Sequence, residues 1–162
     1  MTKISIAAFG VVIALVAPAA AHQETAGKLA IGHPWVRAAE AGAPGTYACI
    51  IEIKNDGDDA ETLLGASIEG AGKGTIYQII QKDGKFTSKP AEHGLVIPPH
   101  GSIDLSPDAY QIRFGKVTKT LTEDTMVEGT LVFEKLKAVP VHFMVEQDDT
   151  APKEEPAAAA SN

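Results

Sequence analysis

The chain has 162 residues, 44% hydrophobic and 22% charged, with 14 Lys and Arg against 21 Asp and Glu and a formal charge of −7. An acidic balance without a basic stripe excludes nucleic acid as a partner, and a single cysteine, Cys49, excludes an intramolecular disulfide. The length suits one domain with a usable core.

The first element in the chain is an export signal. Lys3 is the only charged residue before His22, residues 4–16 are largely apolar, Pro18 breaks the run, and Ala19-Ala20-Ala21 supply small residues for cleavage. The run is shorter than the ~20 apolar residues a membrane helix needs, so no span is expected after cleavage. Cuts after Ala19 and after Ala21 both satisfy the A-x-A pattern. The second leaves residues 22–162 with 13 basic residues against 21 acidic, a charge of −8, and makes His22 the first residue. An N-terminal histidine offers its amine and its Nδ1 from one residue, and the two can chelate Cu(II) together. One further imidazole would complete a histidine brace.

Beyond the signal, the pattern predicts short strands. They cover residues 29–36, 46–54, 61–68, 75–81, 85–89, 94–97, 102–105, 109–114, 129–133 and 139–146, separated by turn signals such as Asn55-Asp56-Gly57-Asp58 and Asp83-Gly84. Turn residues recur about every 8–12 positions, as in a Greek-key β-sandwich or barrel, here all-β with about 8–10 short strands. Residues 122–126 alone are read as a helical turn. Cys49 lies in an apolar run and reads as a buried small hydrophobe. Residues 147–162 mix Pro, Ala and acids without large apolar side chains and read as a disordered tail. The expected organisation is thus a signal over 1–21, one β domain over 22–146 and the tail.

An ordered series of segments resembles one known family. His33-Pro34-Trp35-Val36-Arg37, Asn55-Asp56-Gly57, Leu63-Leu64-Gly65-Ala66, Lys82-Asp83-Gly84-Lys85, Gly94-Leu95-Val96-Ile97-Pro98, Leu105-Ser106-Pro107-Asp108-Ala109-Tyr110 and Leu131-Val132-Phe133-Glu134 are similar to the periplasmic copper-A chaperones (PCuAC). The likeness covers about residues 28–145. It implies a cupredoxin-like barrel, a periplasmic location, and delivery of copper to a respiratory oxidase or another periplasmic copper protein.

The same resemblance exposes a departure. The family binds copper through a His-x10-Met pair and a later His-x-Met pair, and the matching positions here are Tyr77, Ser88, Gln111 and Arg113. Thioethers favour Cu(I), so the family's usual Cu(I) site is not expected. Tyr77, Gln111 and Arg113 read as solvent-facing residues on an inactivated surface.

Copper, as Cu(II), then falls to the histidines. His22 is the brace residue, and its candidate partners are His33, held extended by Pro34, and His142. His142 and Met144 alternate with Val141, Phe143 and Val145 and so share the face away from the core, as on an edge strand. His93 and His100 read as loop residues, and Met126 has no companion ligand. Cu(II) tops the divalent affinity order and suits nitrogen ligation. No catalytic triad, phosphate loop, HExxH or CxxC occurs, so no enzyme is expected. Two functions remain from the sequence: a periplasmic Cu(II) chaperone or buffer, and a metal-free scaffold of the same family acting as a protein-interaction module.

Overall fold

The computed structural model describes residues 23–148; His22, the expected export signal over residues 1–21 and residues 149–162 lie outside it. Eleven strands are described: β1 (Gln23–Ala26), β2 (Leu29–Arg37), β3 (Thr46–Asn55), β4 (Glu61–Ile68), β5 (Gly72–Lys82), β6 (Lys85–Pro90), β7 (Leu95–Ile97), β8 (Gly101–Leu105), β9 (Tyr110–Phe114), β10 (Met126–Phe133) and β11 (Ala138–Glu146). Ten fall on the expected segments. The eleventh, β1, was not foreseen: Gly27, at φ 59, turns the chain so that Gln23–Ala26 folds back on β2. The helical turn expected at residues 122–126 is corrected. The Thr125 N–H bonds to the Thr122 carbonyl, closing a simple turn, and Met126 opens β10 opposite Met144.

β2, β3, β9, β5, β4, β10 and β11 pair in that order and close on themselves. All contacts in this ring are antiparallel except β11 with β2, which run parallel through Trp35↔Met144, Val36↔Val145 and Arg37↔Glu146. The product is a seven-stranded mixed barrel with β1, β6, β7 and β8 attached to it. Period-two alternation fills the inside: Leu131 and Phe133 from β10, and Val141, Phe143 and Val145 from β11, are all buried. Each such side chain contributes about 1.5–3 kcal/mol of transfer free energy.

The alternation breaks at one level of the barrel. In β2 the core residues are Leu29 and Ile31, then Val36, so the inward parity changes between them. His33 stands in the break with φ 47. The expectation that Pro34 holds it extended is therefore wrong: its backbone is left-handed, a conformation that costs a non-glycine residue about 1–2 kcal/mol. β3 changes parity at the same height. Ile50 and Ile53 both face the core, while Ile51 and Glu52 between them are exposed, and the register with β8 shifts there. Two neighbouring strands thus crease together, and Ile51 lies level with His33.

Past the crease, the outward residues form a second apolar cluster. Trp35, Tyr47 and Cys49 are buried and Met144 packs on them, with the Trp35 and Tyr47 rings edge-to-face at 5.9 Å. The Tyr47 hydroxyl donates to Asp148 Oδ2 at 2.6 Å. Asp148 is itself buried, so ordered contacts continue two residues beyond β11. At the opposite end, the buried Glu61 carboxylate accepts the backbone N–H groups of Thr62, Lys135 and Leu136 at 2.8–2.9 Å, stapling the β10–β11 turn to β4. Burial opposes its charge, but the three donors outweigh that and hold the carboxyl below the usual range.

Candidate metal centre

β2 carries three neighbours on two edges. One edge pairs with β3 along residues 29–36; the other pairs with β1 at residues 29–32 and with β11 at residues 35–37. His33 sits where that second edge changes partner. The first described residue, Gln23, pairs with Gly32, directly before His33. The next residue, Glu24, reaches to β11, where its Oε1 accepts the backbone N–H of His142 at 2.8 Å and lies 3.1 Å from His142 Nδ1. The N-terminal strand is therefore fastened to both strands that carry the candidate histidines.

His33 is half-buried, and its Nε2 lies 2.6 Å from Oε1 of Glu146. His142 is more exposed and lines a groove of about 540 Å³ with Ser67, Glu69, Glu128 and Thr130. Its outward orientation agrees with the strand alternation, but β11 is not an edge strand: it is paired on both sides, with β10 and β2. His93 is an exposed turn residue. His100, at φ 51, pairs with Asp58 at 2.9 Å on the surface. Among the described residues, no three His, Cys, Asp or Glu side chains are grouped to hold a metal. His22 lies outside that set.

Tyr77, Ser88, Gln111 and Arg113 come from β5, β6 and β9 and meet at one place. The Arg113 guanidinium donates through Nε to Gln111 Oε1 and through Nη1 to Ser88 Oγ, both at 3.0 Å, and lies 5.2 Å from the Tyr77 ring centre. Gln111 is 3% exposed, and its amide donates to the Pro107 carbonyl at 2.6 Å. The expectation of solvent-facing residues is thus corrected: the four side chains form a connected, partly buried set organised around a cation. None supplies a thiolate, thioether or imidazole. Cys49 is fully buried, and burial pushes its thiol well above the ordinary range.

Sequence reasoning missed Glu24, Glu146 and Asp148. Glu24 and Glu146 stand 122 residues apart in the chain, and only the parallel β11–β2 pairing and the β1 fold-back bring them to the histidines.

A family model described as "Putative lipoprotein LpqE-like" matches residues 29–145. The chain belongs to the LpqE-like family. A relative from Leifsonia xyli subsp. xyli, described as "Putative lipoprotein Lxx21020", is 26% identical over 125 residues, covering 75% of this chain and 74% of the relative. Among solved structures, the apo PCuAC domain of PmoF1 matches with a TM-score of 0.64 and 27% identity over 78% of this chain and all of that domain. The copper-bound PCuAC domain of PmoF2 matches at 0.63 and 22% identity over 78% of this chain and 99% of that one. A Deinococcus radiodurans protein in its apo solution form matches at 0.56 and 16% identity over 93% and 99%. This LpqE-like barrel is therefore cupredoxin-like, as the resemblance to the copper-A chaperones implied.

Proposed function

We propose that this LpqE-like protein is an extracytoplasmic copper-binding chaperone or buffer that takes Cu(II) through an N-terminal histidine brace. The reading requires export to remove residues 1–21, leaving the amine and Nδ1 of His22 free, with His33 or His142 as the third nitrogen. The observation that carries it is the fastening of β1: Gln23 is paired beside His33 and Glu24 is bonded to His142. One peptide link separates His22 from Gln23, about 3.8 Å between Cα atoms. An ordered entry to the N-terminus suits a chelate, because it lowers the entropy lost when the metal binds. Copper here is cargo, and binding rather than catalysis is the activity. The likeness of this chain's barrel to the copper-bound PCuAC domain of PmoF2 supports the metal. A copper-requiring oxidase or another periplasmic copper protein is the proposed recipient.

The test is a Cu(II) titration of protein exported and processed in a bacterial periplasm, beside a form with one extra alanine before His22. Tight one-to-one binding with a nitrogen-rich EPR spectrum, abolished by the extra residue, is expected. His33→Asn and His142→Asn then identify the partner. Binding indifferent to the added alanine would refute amine ligation.

A second reading, a metal-free scaffold acting as a protein-interaction module, is favoured by the Arg113 set. There a guanidinium stands at the positions where the resemblance places copper ligands. Absence of tight binding in both forms would leave that reading standing.

A further inference from the structure

The two candidate brace partners, His33 and His142, each carry a carboxylate on one ring nitrogen, and it is a different nitrogen in each. Glu146 meets Nε2 of His33 at 2.6 Å, and Glu24 meets Nδ1 of His142 at 3.1 Å. A neutral imidazole has one N–H and one bare nitrogen, and an ionised carboxylate only accepts, so the proton is held on the nitrogen that faces it. His33 is then left with a bare Nδ1 and His142 with a bare Nε2.

We propose that Glu146 and Glu24 are positioning residues of the copper seat, fixing the tautomers of His33 and His142 so that the imidazole completing the brace offers its bare nitrogen, Nδ1 of His33 or Nε2 of His142, to the metal. The inference rests on the brace reading and sharpens it. A metal-binding imidazole ordinarily donates its other N–H to a carboxylate, a backbone carbonyl or a water, which orients the ring and raises its basicity. Glu24 is suited to this by shelter as well as contact: its side chain is 19% exposed against 55% for His142. Its second bond, from the His142 backbone N–H, fixes the carboxylate on β11 independently of the ring. Glu24 thus joins two tasks, docking β1 and setting His142. On the other histidine, the left-handed backbone of His33 breaks the strand alternation, and its ring engages a carboxylate on the neighbouring β11.

The decisive experiment reads the rings directly in metal-free protein, then adds Cu(II). Long-range proton–nitrogen NMR of the imidazoles, at a pH where both rings are neutral, should show the Nε2–H form of His33 and the Nδ1–H form of His142. Glu146→Gln and Glu24→Gln should each mix the tautomers of their own histidine only, because an amide both donates and accepts. The variant facing the brace partner should also weaken Cu(II) binding by about 10–100-fold. Mixed tautomers in the unmodified protein, or fixed ones unmoved by the glutamine variants, would overturn the positioning role while leaving copper binding to be judged by its own titration. Fixed tautomers in a processed protein that takes up no Cu(II) would instead overturn the brace, and with it the assignment of these carboxylates to a metal.

Discussion

The guanidinium of Arg113 lies 5.2 Å from the centre of the Tyr77 ring and donates to Ser88 and Gln111 from the same head group. A planar cation with five donors satisfies a hydroxyl, an amide oxygen and an aromatic face together. Positive charge and the lack of soft donors both oppose Cu(I) at this face. The combined variant Tyr77→His, Ser88→Met, Gln111→His and Arg113→Met is expected to gain one-to-one Cu(I) binding in competition with a chromophoric chelator under reducing conditions. Arg113→Ala alone should not gain it, since removing the cation supplies no ligand. Retained β-sheet circular dichroism checks that the gain is read on a folded barrel.

His33 holds a left-handed backbone at φ 47 within a strand. Glycine adopts that conformation freely, whereas a β-branched residue resists it. His33→Val should therefore be less stable than His33→Gly by about 1–3 kcal/mol, an order opposite to ordinary strand propensity. Urea denaturation of the two variants measures the difference. Equal stabilities, or a more stable valine, would mean that the crease does not depend on this backbone.

Cu(II) affinity should fall as the medium is acidified from pH 8 to pH 5. An α-amino group titrates near about 7.7–8.0, and the amine and imidazoles bind metal only when deprotonated. Competition titrations across that range test it, and a flat affinity would count against the amine as a ligand.

Ten strands were legible because their cause is local. Val139 to Val145 alternate in and out with the pleat, and Asn55-Asp56-Gly57 ends a β-branched run with a turn that Asn55 closes through the Gly57 N–H. β1 was not legible, because Gln23-Glu24-Thr25-Ala26 has no apolar face and is held by pairing with β2 and by the Glu24 bond to His142. The His33 crease was hidden for the same reason: Pro34 argues for an extended residue, and the coupled turning of β2 and β3 overrides it. The convergence of Tyr77, Ser88, Gln111 and Arg113 could be inferred only through the family resemblance. Nothing in their own chemistry announces a shared site.

Alkaline conditions should expose the second cluster. Burial raises the Tyr47 phenol far above its ordinary 10.0, assisted by the hydrogen bond and charge of Asp148, and burial raises Cys49 from 9.0. Both groups stay neutral when folded and ionise when unfolded, so their contribution is present below those ordinary values and is lost as pH rises through the folded ones. Stability should begin to fall near pH 9 and fall more steeply above pH 10. Cys49→Ala should remove the first part and Tyr47→Phe the second. Tyr47→Phe also deprives the buried Asp148 of this donor, at a cost of about 1–3 kcal/mol at neutral pH. Denaturation series from pH 8 to 11 separate the effects.

Glu61 governs the acid side. Its carboxylate accepts three backbone N–H groups while buried, which keeps it ionised in the folded protein below the ordinary value of 4.5. The folded state therefore binds fewer protons than the unfolded chain as pH drops past that value. The stabilisation is present above about 4.5 and is lost as pH falls through the lowered folded value. Glu61→Gln removes the charge and turns an amide donor toward the N–H groups of Lys135 and Leu136, leaving at least one of them unmatched. A loss of about 1–3 kcal/mol at pH 7 is expected, together with a flatter stability profile between pH 3 and 5. Parallel acid limbs for the two proteins would show that the staple at the β10–β11 turn does not depend on the charge, and that the fall in stability belongs to other carboxylates.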